Sequence, residues 1–242
     1  MKKKILSIAL VAALIAIMVS GSLAYFTDND EVTNTFTVGS VKIEIHENGE
    51  ATDKDSIPFG KLTPIVNTTT PSDDVSYFDK VVDVKNVGAN DAYIRTHIAV
   101  PTALIGYLQL DVTTTGWTYI GTLAGSSTAT VGGIHYTVFT YDHTAAVAPD
   151  GFTSELLQGV YLKSDVDLEE DANGNLWFVK KTNGEITDHS SFMAHEKTAM
   201  GYVSKTVSVL VASQAIQAQG FENGTATDAL NTGFGVNTNP WQ

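Results

Sequence analysis

Hydrophobic and polar positions alternate with a period of two along much of the chain. Val41, Ile43 and Ile45 alternate with polar side chains, and the pattern recurs at 82–85 and at 207–211. Strands with one buried and one solvated face produce this alternation, which is typical of antiparallel sheets. Other segments with strand composition are 92–100, 107–112, 117–121, 135–141, 159–163 and 176–181. The pattern therefore predicts an antiparallel all-β protein.

Turn signals separate these segments. Asn-Gly pairs at 48–49, 173–174, 183–184 and 223–224 predict tight hairpins, because both residues tolerate the positive φ of type I′ turns. The polar segments 67–74 and 122–133 predict loops or strand tips. Helix is expected only as short turns at 153–158 and 227–230. Together these features predict one β-sandwich domain over 39–242, jelly-roll or immunoglobulin-like, with long loops.

The N-terminus departs from this pattern. Lysines at positions 2–4 precede an apolar run over 5–19 that only Ser7 interrupts, and small residues follow at Ser22 and Ala24. This arrangement is typical of a secretory signal peptide and is too short for a membrane span. We expect residues 1–24 to be removed by cleavage between Ala24 and Tyr25, so that the mature chain is exported.

The composition of the chain excludes several kinds of functional site. The chain has no cysteine, which excludes a disulfide framework, a thiolate metal site and a cysteine nucleophile. Its formal charge is −13, and it becomes −16 when the three signal-peptide lysines leave, since that segment holds no acid. This sign opposes binding to nucleic acid or anionic lipid through net charge. A net negative charge of this size favours either solubility outside the cell or association with cations.

Several motifs, in order, resemble the TasA/camelysin family of secreted Gram-positive proteins. They are Leu23-Ala24-Tyr25-Phe26-Thr27-Asp28, Asn34-Thr35-Phe36-Thr37-Val38-Gly39, the segments 80–88 and 92–95, and 215–221 near the end. The resemblance implies processing by a dedicated SipW-type signal peptidase. It also implies a structural subunit of extracellular fibres in the biofilm matrix, self-associating and in contact with other matrix proteins or the cell surface.

Residues 25–38 are the segment of greatest interest under this resemblance. They would form a new N-terminus with apolar residues at Phe26, Val32, Phe36 and Val38. One interpretation is an integral first strand of the chain's own sandwich. The other is an assembly strand that is donated to an exposed sheet edge of the next subunit.

Two rival functions stay open. His195-Glu196-Lys197-Thr198-Ala199 begins like the His-Glu-x-x-His zinc protease motif, and some members of the family carry a metallopeptidase label. Ala199 stands where the second zinc-ligating histidine is needed, so a camelysin-like metallopeptidase is disfavoured and no catalytic residue is assigned. The remaining histidines show no metal-binding spacing. A monomeric surface adhesin is the other alternative.

The densest group of side-chain oxygens suggests at most a low-affinity calcium site. Its members are Asp165, Asp167, Glu169, Asp171 and Asn173. Read as a calcium loop from Glu169, the spacing places Gly174 correctly but puts Lys180 where a bidentate carboxylate is required. A solvated acidic hairpin explains the same residues. No other cofactor is expected.

Overall fold

A computed structural model describes residues 27–30, 41–51, 63–123, 129–205, 207–221 and 224–241, the first of these by backbone alone. The strands are β1 (Thr27–Asp30), β2 (Ile43–Glu47), β3 (Glu50–Ala51), β4 (Phe78–Asn86), β5 (Ala92–Pro101), β6 (Leu108–Val112), β7 (Trp117–Leu123), β8 (Ala129–Val131), β9 (Ile134–His143), β10 (Leu157–Leu162), β11 (Val166–Glu170), β12 (Leu176–Thr182), β13 (Glu185–Thr198), β14 (Gly201–Ser204) and β15 (Leu210–Gln217). Helix α1 spans Ala226–Phe234, and two 3₁₀ turns span Pro71–Asp73 and Thr102–Leu104.

The strands form three antiparallel sheets. Sheet A has the order β1-β15-β5-β9-β7, with β8 also paired to β9. Sheet B has the order β3-β2-β4-β10-β6, and sheet C the order β11-β12-β13-β14. The predicted all-β antiparallel fold is therefore confirmed.

Sheets A and B face each other across the main core, as expected for a sandwich. Sheet B contributes Val82 and Val84, and sheet A contributes Ile94 and Ile98, all fully buried. Sheet C adds Val166, Phe178 and Ala194 to the same core from one side. The alternation of side chains along each strand places one apolar row inward.

The late valine segment is buried as predicted, although β15 starts further along the chain. Val207, Val209 and Val211 all lie in the main core. The strand begins only at Leu210, whose side chain points to the opposite face and packs in a second cluster with Tyr136 and Val138. Both faces of β15 are therefore covered.

Two of the predicted Asn-Gly hairpins have the expected geometry. Asn48 and Gly49 have φ of 51° and 83°, and Asn183 and Gly184 have φ of 53° and 86°. At 173–174 only the glycine has positive φ, because a longer turn over 171–175 connects β11 to β12. The pair at 223–224 lies partly outside the described residues.

The short helix predicted at 153–158 is wrong. That segment runs extended beside β4, where Thr153 exchanges hydrogen bonds with Val84 and the Leu156 amide donates to the Val82 carbonyl. Burial of Leu156 and Leu157 against the core outweighs any local helical tendency. The helix expected at 227–230 is confirmed within α1, where Thr225 and Asp228 form a capping box.

Strand β13, with 14 residues, was not predicted. Both faces of this strand are largely solvated, and its sequence is accordingly mostly polar. Hydrophobic and polar residues therefore show little period-two alternation there.

The signal peptide over 1–24 and the cleavage site between Ala24 and Tyr25 lie outside the described residues. Among the described helices, none has the length and apolar character needed to cross a membrane.

Candidate assembly site at the sheet edges

The edge of sheet A carries part of the segment predicted as an assembly strand. Strand β1 pairs antiparallel with β15 of its own chain, with Thr27 opposite Ile216 and Asp30 opposite Ser213. It covers only half of β15, and no described strand pairs with Leu210, Val211 or Ala212 on that side. Within this chain, the backbone of 27–30 therefore takes the place of an edge strand.

The apolar residues proposed for assembly lie elsewhere in the segment. Phe26, Val32, Phe36 and Val38 are outside the described residues, so their packing is not part of this site. Donation to a second chain stays a prediction. The described pairing does identify β15 as an edge that accepts an antiparallel strand from the N-terminal segment.

A cleft of about 380 Å³ lies on the opposite side of the sandwich, next to β6, the last strand of sheet B. Its lining residues are Val100, Ile105, Gly106, Leu108, Gln109, Leu110, Val112, Phe139, Tyr141 and Lys163. The residues Leu108, Leu110 and Val112 are every second residue of β6, so the inward row of this strand faces the cleft. The cleft thus extends the apolar core to a sheet edge.

The cleft has a mixed surface, on which polar and apolar atoms are exposed to nearly the same extent. Burial raises the pKa of Tyr141 to about 12, so its hydroxyl is neutral at physiological pH. Lys163 and Gln109 supply the other polar atoms. This lining contains no pairing of a nucleophile with a general base.

A buried ion pair fixes the C-terminal segment onto the outer face of sheet A. Arg95 Nε and Nη2 donate to the two Asp142 carboxylate oxygens over 2.7 and 3.0 Å. The same guanidinium donates to Asn231 Oδ1 of α1 and to the carbonyl of Gly235, each over 2.8 Å. We call these four residues the C-terminal clamp.

A second buried polar group lies beside the clamp. His97 hydrogen-bonds through Nδ1 to Thr140 and through Nε2 to Gln214, and Thr140 donates to Asn237 of the tail. Trp241 contacts His97 edge-on, with ring centroids 6.4 Å apart. Burial and the nearby Arg95 charge lower the pKa of His97 to about 4, so the ring is neutral here.

The sequence indicated a hydrogen-bonded strand histidine at His97, which is confirmed, but it revealed neither the partners of His97 nor the C-terminal clamp. One signal in the sequence could have indicated them. Polar residues occur at alternate positions of a strand segment whose composition predicts burial on both faces, and buried polar side chains need partners. Arg95 and His97 do alternate along 92–100, but the residues they contact lie far away in sequence.

The zinc protease-like segment lies in a strand hairpin. His195 is in β13, where its Nδ1 lies 3.0 Å from Ser204 Oγ, and Glu196 pairs with Lys205. The zinc protease motif requires both histidines on one helical turn, whereas Ala199 here lies in the turn between β13 and β14. The geometry of the segment is therefore that of a surface hairpin.

We expect His195→Ala to leave the fold intact and to change the free energy of unfolding by less than about 1 kcal/mol, because the bond to Ser204 is exposed. Thermal melting of the purified variant measures this. A casein-cleavage assay runs beside it. Robust cleavage by the parent protein that His195→Ala abolishes would contradict a structural role for this histidine.

The other histidines lie apart. His135 is within hydrogen-bonding distance of Thr130, and His143 of the Ala145 carbonyl. Within the described ranges, no group of three or more His, Asp or Glu side chains is placed to hold a metal ion.

The calcium candidates are spread along β11 and the following turn. Asp167 pairs with Lys181 over 2.6 Å, a bond that lowers the pKa of the carboxyl. Asp171 accepts hydrogen bonds from the backbone amides of Asn173 and Asn175, and also from the Trp177 ring. The bonds from Trp177 and Asn175 lower the Asp171 pKa to about 2. Asp165 and Glu169 lie along the same strand edge, and calcium binding there stays a prediction.

In comparisons with known proteins, no family model, no curated protein and no solved structure matches the chain.

Proposed function

We propose that this protein is a secreted structural subunit of extracellular fibres or biofilm matrix, assembling by exchange of its N-terminal strand. The observation that carries the proposal is the position of β1. It is a short terminal strand that pairs along only part of an edge of sheet A. The motif order resembling the TasA/camelysin family points in the same direction.

Exchange is inexpensive at this edge. If β1 of a neighbour replaces the chain's own β1, the same antiparallel hydrogen bonds to β15 are made, and only their source changes. Residues 31–40 separate β1 from Val41, and a chain of that length spans roughly 35 Å when extended. That reach is enough to cross to an adjacent subunit.

The outcome of exchange is a filament rather than a closed dimer when each subunit gives its strand to one neighbour and receives from another. Such a contact is heterologous, and it propagates unless a rotation closes it into a ring. We assign donation to the β15 edge rather than to the cleft at β6, because residues 27–30 pair at β15 and the cleft lies at the opposite side of the sandwich.

The sandwich itself supports a structural role. The described residues bury a large apolar core, and the buried charges of Arg95 and Asp142 pair with each other. The absence of cysteine in the whole sequence makes a covalent test of strand exchange direct, since any disulfide must come from introduced residues.

The experiment is a cysteine pair at Asp28 and Ala215, which are opposite each other in the β1 and β15 register. Paired residues of antiparallel strands lie close enough for a disulfide, and cysteine is a mild change at the buried Ala215. In filaments that form by exchange, oxidation should give a ladder of covalent oligomers on a non-reducing gel. In the monomer it should give only an internal link.

Each single-cysteine variant is the control, because one thiol per chain yields at most a dimer. Electron microscopy of the same samples establishes whether filaments are present. Filaments whose oxidised subunits carry only internal links would contradict exchange at β15. A purified protein that forms no filaments under any condition would contradict the fibre function itself.

A further inference from the structure

Sheet C has two outer edges, and neither has a partner strand among the described residues. Strand β11 pairs only with β12, and β14 pairs only with β13. An unpaired edge presents backbone donors and acceptors that another strand can complete. On β11 the outward amide of Val166 donates to the Lys163 carbonyl and that of Leu168 to the Asp167 carboxylate, so the outward carbonyls and the Glu170 amide are the groups offered to a new strand. Neither edge takes part in the strand exchange proposed above.

The hydrogen-bond pattern shows which groups of β14 face outward. The Lys205 amide donates to the Ala194 carbonyl over 2.9 Å, so these two opposite residues form a hydrogen-bonded pair. In antiparallel strands, opposite residues alternate between hydrogen-bonded and non-hydrogen-bonded pairs. Gly201 and Val203 therefore bond toward β13, opposite Thr198 and Glu196. Consequently the amide and carbonyl groups of Tyr202 and Ser204 point away from the sheet.

The hairpin that ends in β14 is also unusually apolar for an exposed element. Met200 is 99% exposed, Val203 52% and Tyr202 45%. An edge that combines free backbone groups with exposed apolar side chains favours pairing with another strand.

The two edges carry opposite charge. Residues 165–171, which contain β11, read Asp-Val-Asp-Leu-Glu-Glu-Asp and hold five acids and no base. Strand β14 itself holds no charged residue, but Lys197 of β13 and Lys205 lie beside it, the second of them paired with Glu196.

Internal pairs reduce this charge without cancelling it. On the acidic side, Lys181 pairs with Asp167, and Tyr202 donates to Glu170 over 3.2 Å. Asp165 and Glu169 have no ion pair among the described residues. On the basic side, Lys205 pairs with Glu196, while Lys197 lies over the Tyr202 ring at 4.3 Å.

We propose that β14 of one copy adds to β11 of a second copy, so that sheet C continues from one molecule into the next. Opposite charges select this pairing. Joining two β11 edges would place ten acidic residues together, and joining two β14 edges would gain nothing from the acidic edge. The partner is therefore another molecule of this protein, in a second contact independent of β1.

This contact is expected to be weak on its own. A pairing of four or five residues buries far less than the roughly 1,200 Å² of a stable complex. Aligned copies along a filament would repeat it many times and strengthen it by multivalency. In free subunits, it should be visible only at high concentration and low salt.

Charge exchange between the edges tests the proposal. The two variants are Lys197→Glu with Lys205→Glu, and Asp165→Lys with Glu169→Lys. We expect either one to weaken self-association at low salt by about tenfold or more, since favourable pairs become repulsive. Mixing the two variants should restore association between unlike molecules. Sedimentation velocity, or light scattering where filaments are present, measures it.

Matched controls separate this contact from net charge and from folding. Lys42→Glu with Lys85→Glu makes the same charge change on sheet B and should leave association unaltered. Lys197→Gln with Lys205→Gln avoids new repulsion with Glu196, and thermal melting verifies the fold of each variant.

Three results would overturn the proposal. Edge lysines can instead block strand addition, in which case the glutamine variant would associate more strongly than the parent. A second such result is loss of association when Lys197 and Lys205 are replaced but not when Asp165 and Glu169 are replaced. It would indicate a contact between two β14 edges. Association unchanged by every variant would remove sheet C from the interface, whether or not filaments form through β1.

Discussion

Val209→Asp is expected to cost several kcal/mol of unfolding free energy, a large part of the roughly 5–15 kcal/mol typical of a domain. Val209 is fully buried in the main core between Val207 and Val211. A carboxyl group at that position loses its hydration among the apolar side chains of the cluster, and ionising it there is more costly still. The variant should therefore melt far below the parent or accumulate as insoluble protein.

Val236→Asp is the matched control. Val236 is 71% exposed, so the same substitution should change the unfolding free energy by less than about 0.5 kcal/mol. Chemical denaturation of both variants gives the two values. A Val209→Asp protein that is soluble and melts like the parent would mean that this valine does not face the core.

Asp142→Ala is expected to cost roughly 3–5 kcal/mol, because it leaves the Arg95 guanidinium buried without its carboxylate. Both side chains are essentially inaccessible to solvent, and the pair is bidentate. The remaining bonds to Asn231 and Gly235 are to neutral oxygens and do not balance the charge. For a domain of this size the melting temperature should fall by roughly 6–20 °C.

The double variant Arg95→Met with Asp142→Ala distinguishes loss of the pair from an isolated buried charge. Removing both charges should recover part of the stability lost in Asp142→Ala, since the unpaired guanidinium is gone. If the double variant is less stable than Asp142→Ala by the full cost of Arg95→Met alone, the two residues are not coupled and the clamp has been misassigned.

The clamp also connects stability to the proposed assembly edge. Ala229 and Leu230 of α1 pack on Ile216 of β15, and Ile216 is the residue opposite Thr27 of β1. The ion pair that holds α1 therefore supports the strand that receives β1. Its loss should loosen the outer face of sheet A before the main core.

Local sequence determined the elements whose signals are short-range. The alternation at 41–45 and 82–85 predicted strands because side chains on successive residues point to opposite faces, and the composition of 92–100 predicted another. Asn183 and Gly184 predicted their hairpin because few other residues tolerate two consecutive positive φ angles. Among the described residues, these features required no knowledge of distant contacts.

Tertiary structure alone decided the arrangement of these elements. The chain from 153 to 158 is extended because distant backbone groups of β4 bond it, and β13 forms because β12 and β14 flank a sequence with weak periodicity. Arg95 meets partners 47, 136 and 140 residues away, and β1 meets β15 near the other end of the chain. These non-local pairings determine which sheet edges stay unpaired. A period-two pattern specifies which face of a strand is buried, but it does not specify which strand pairs with it.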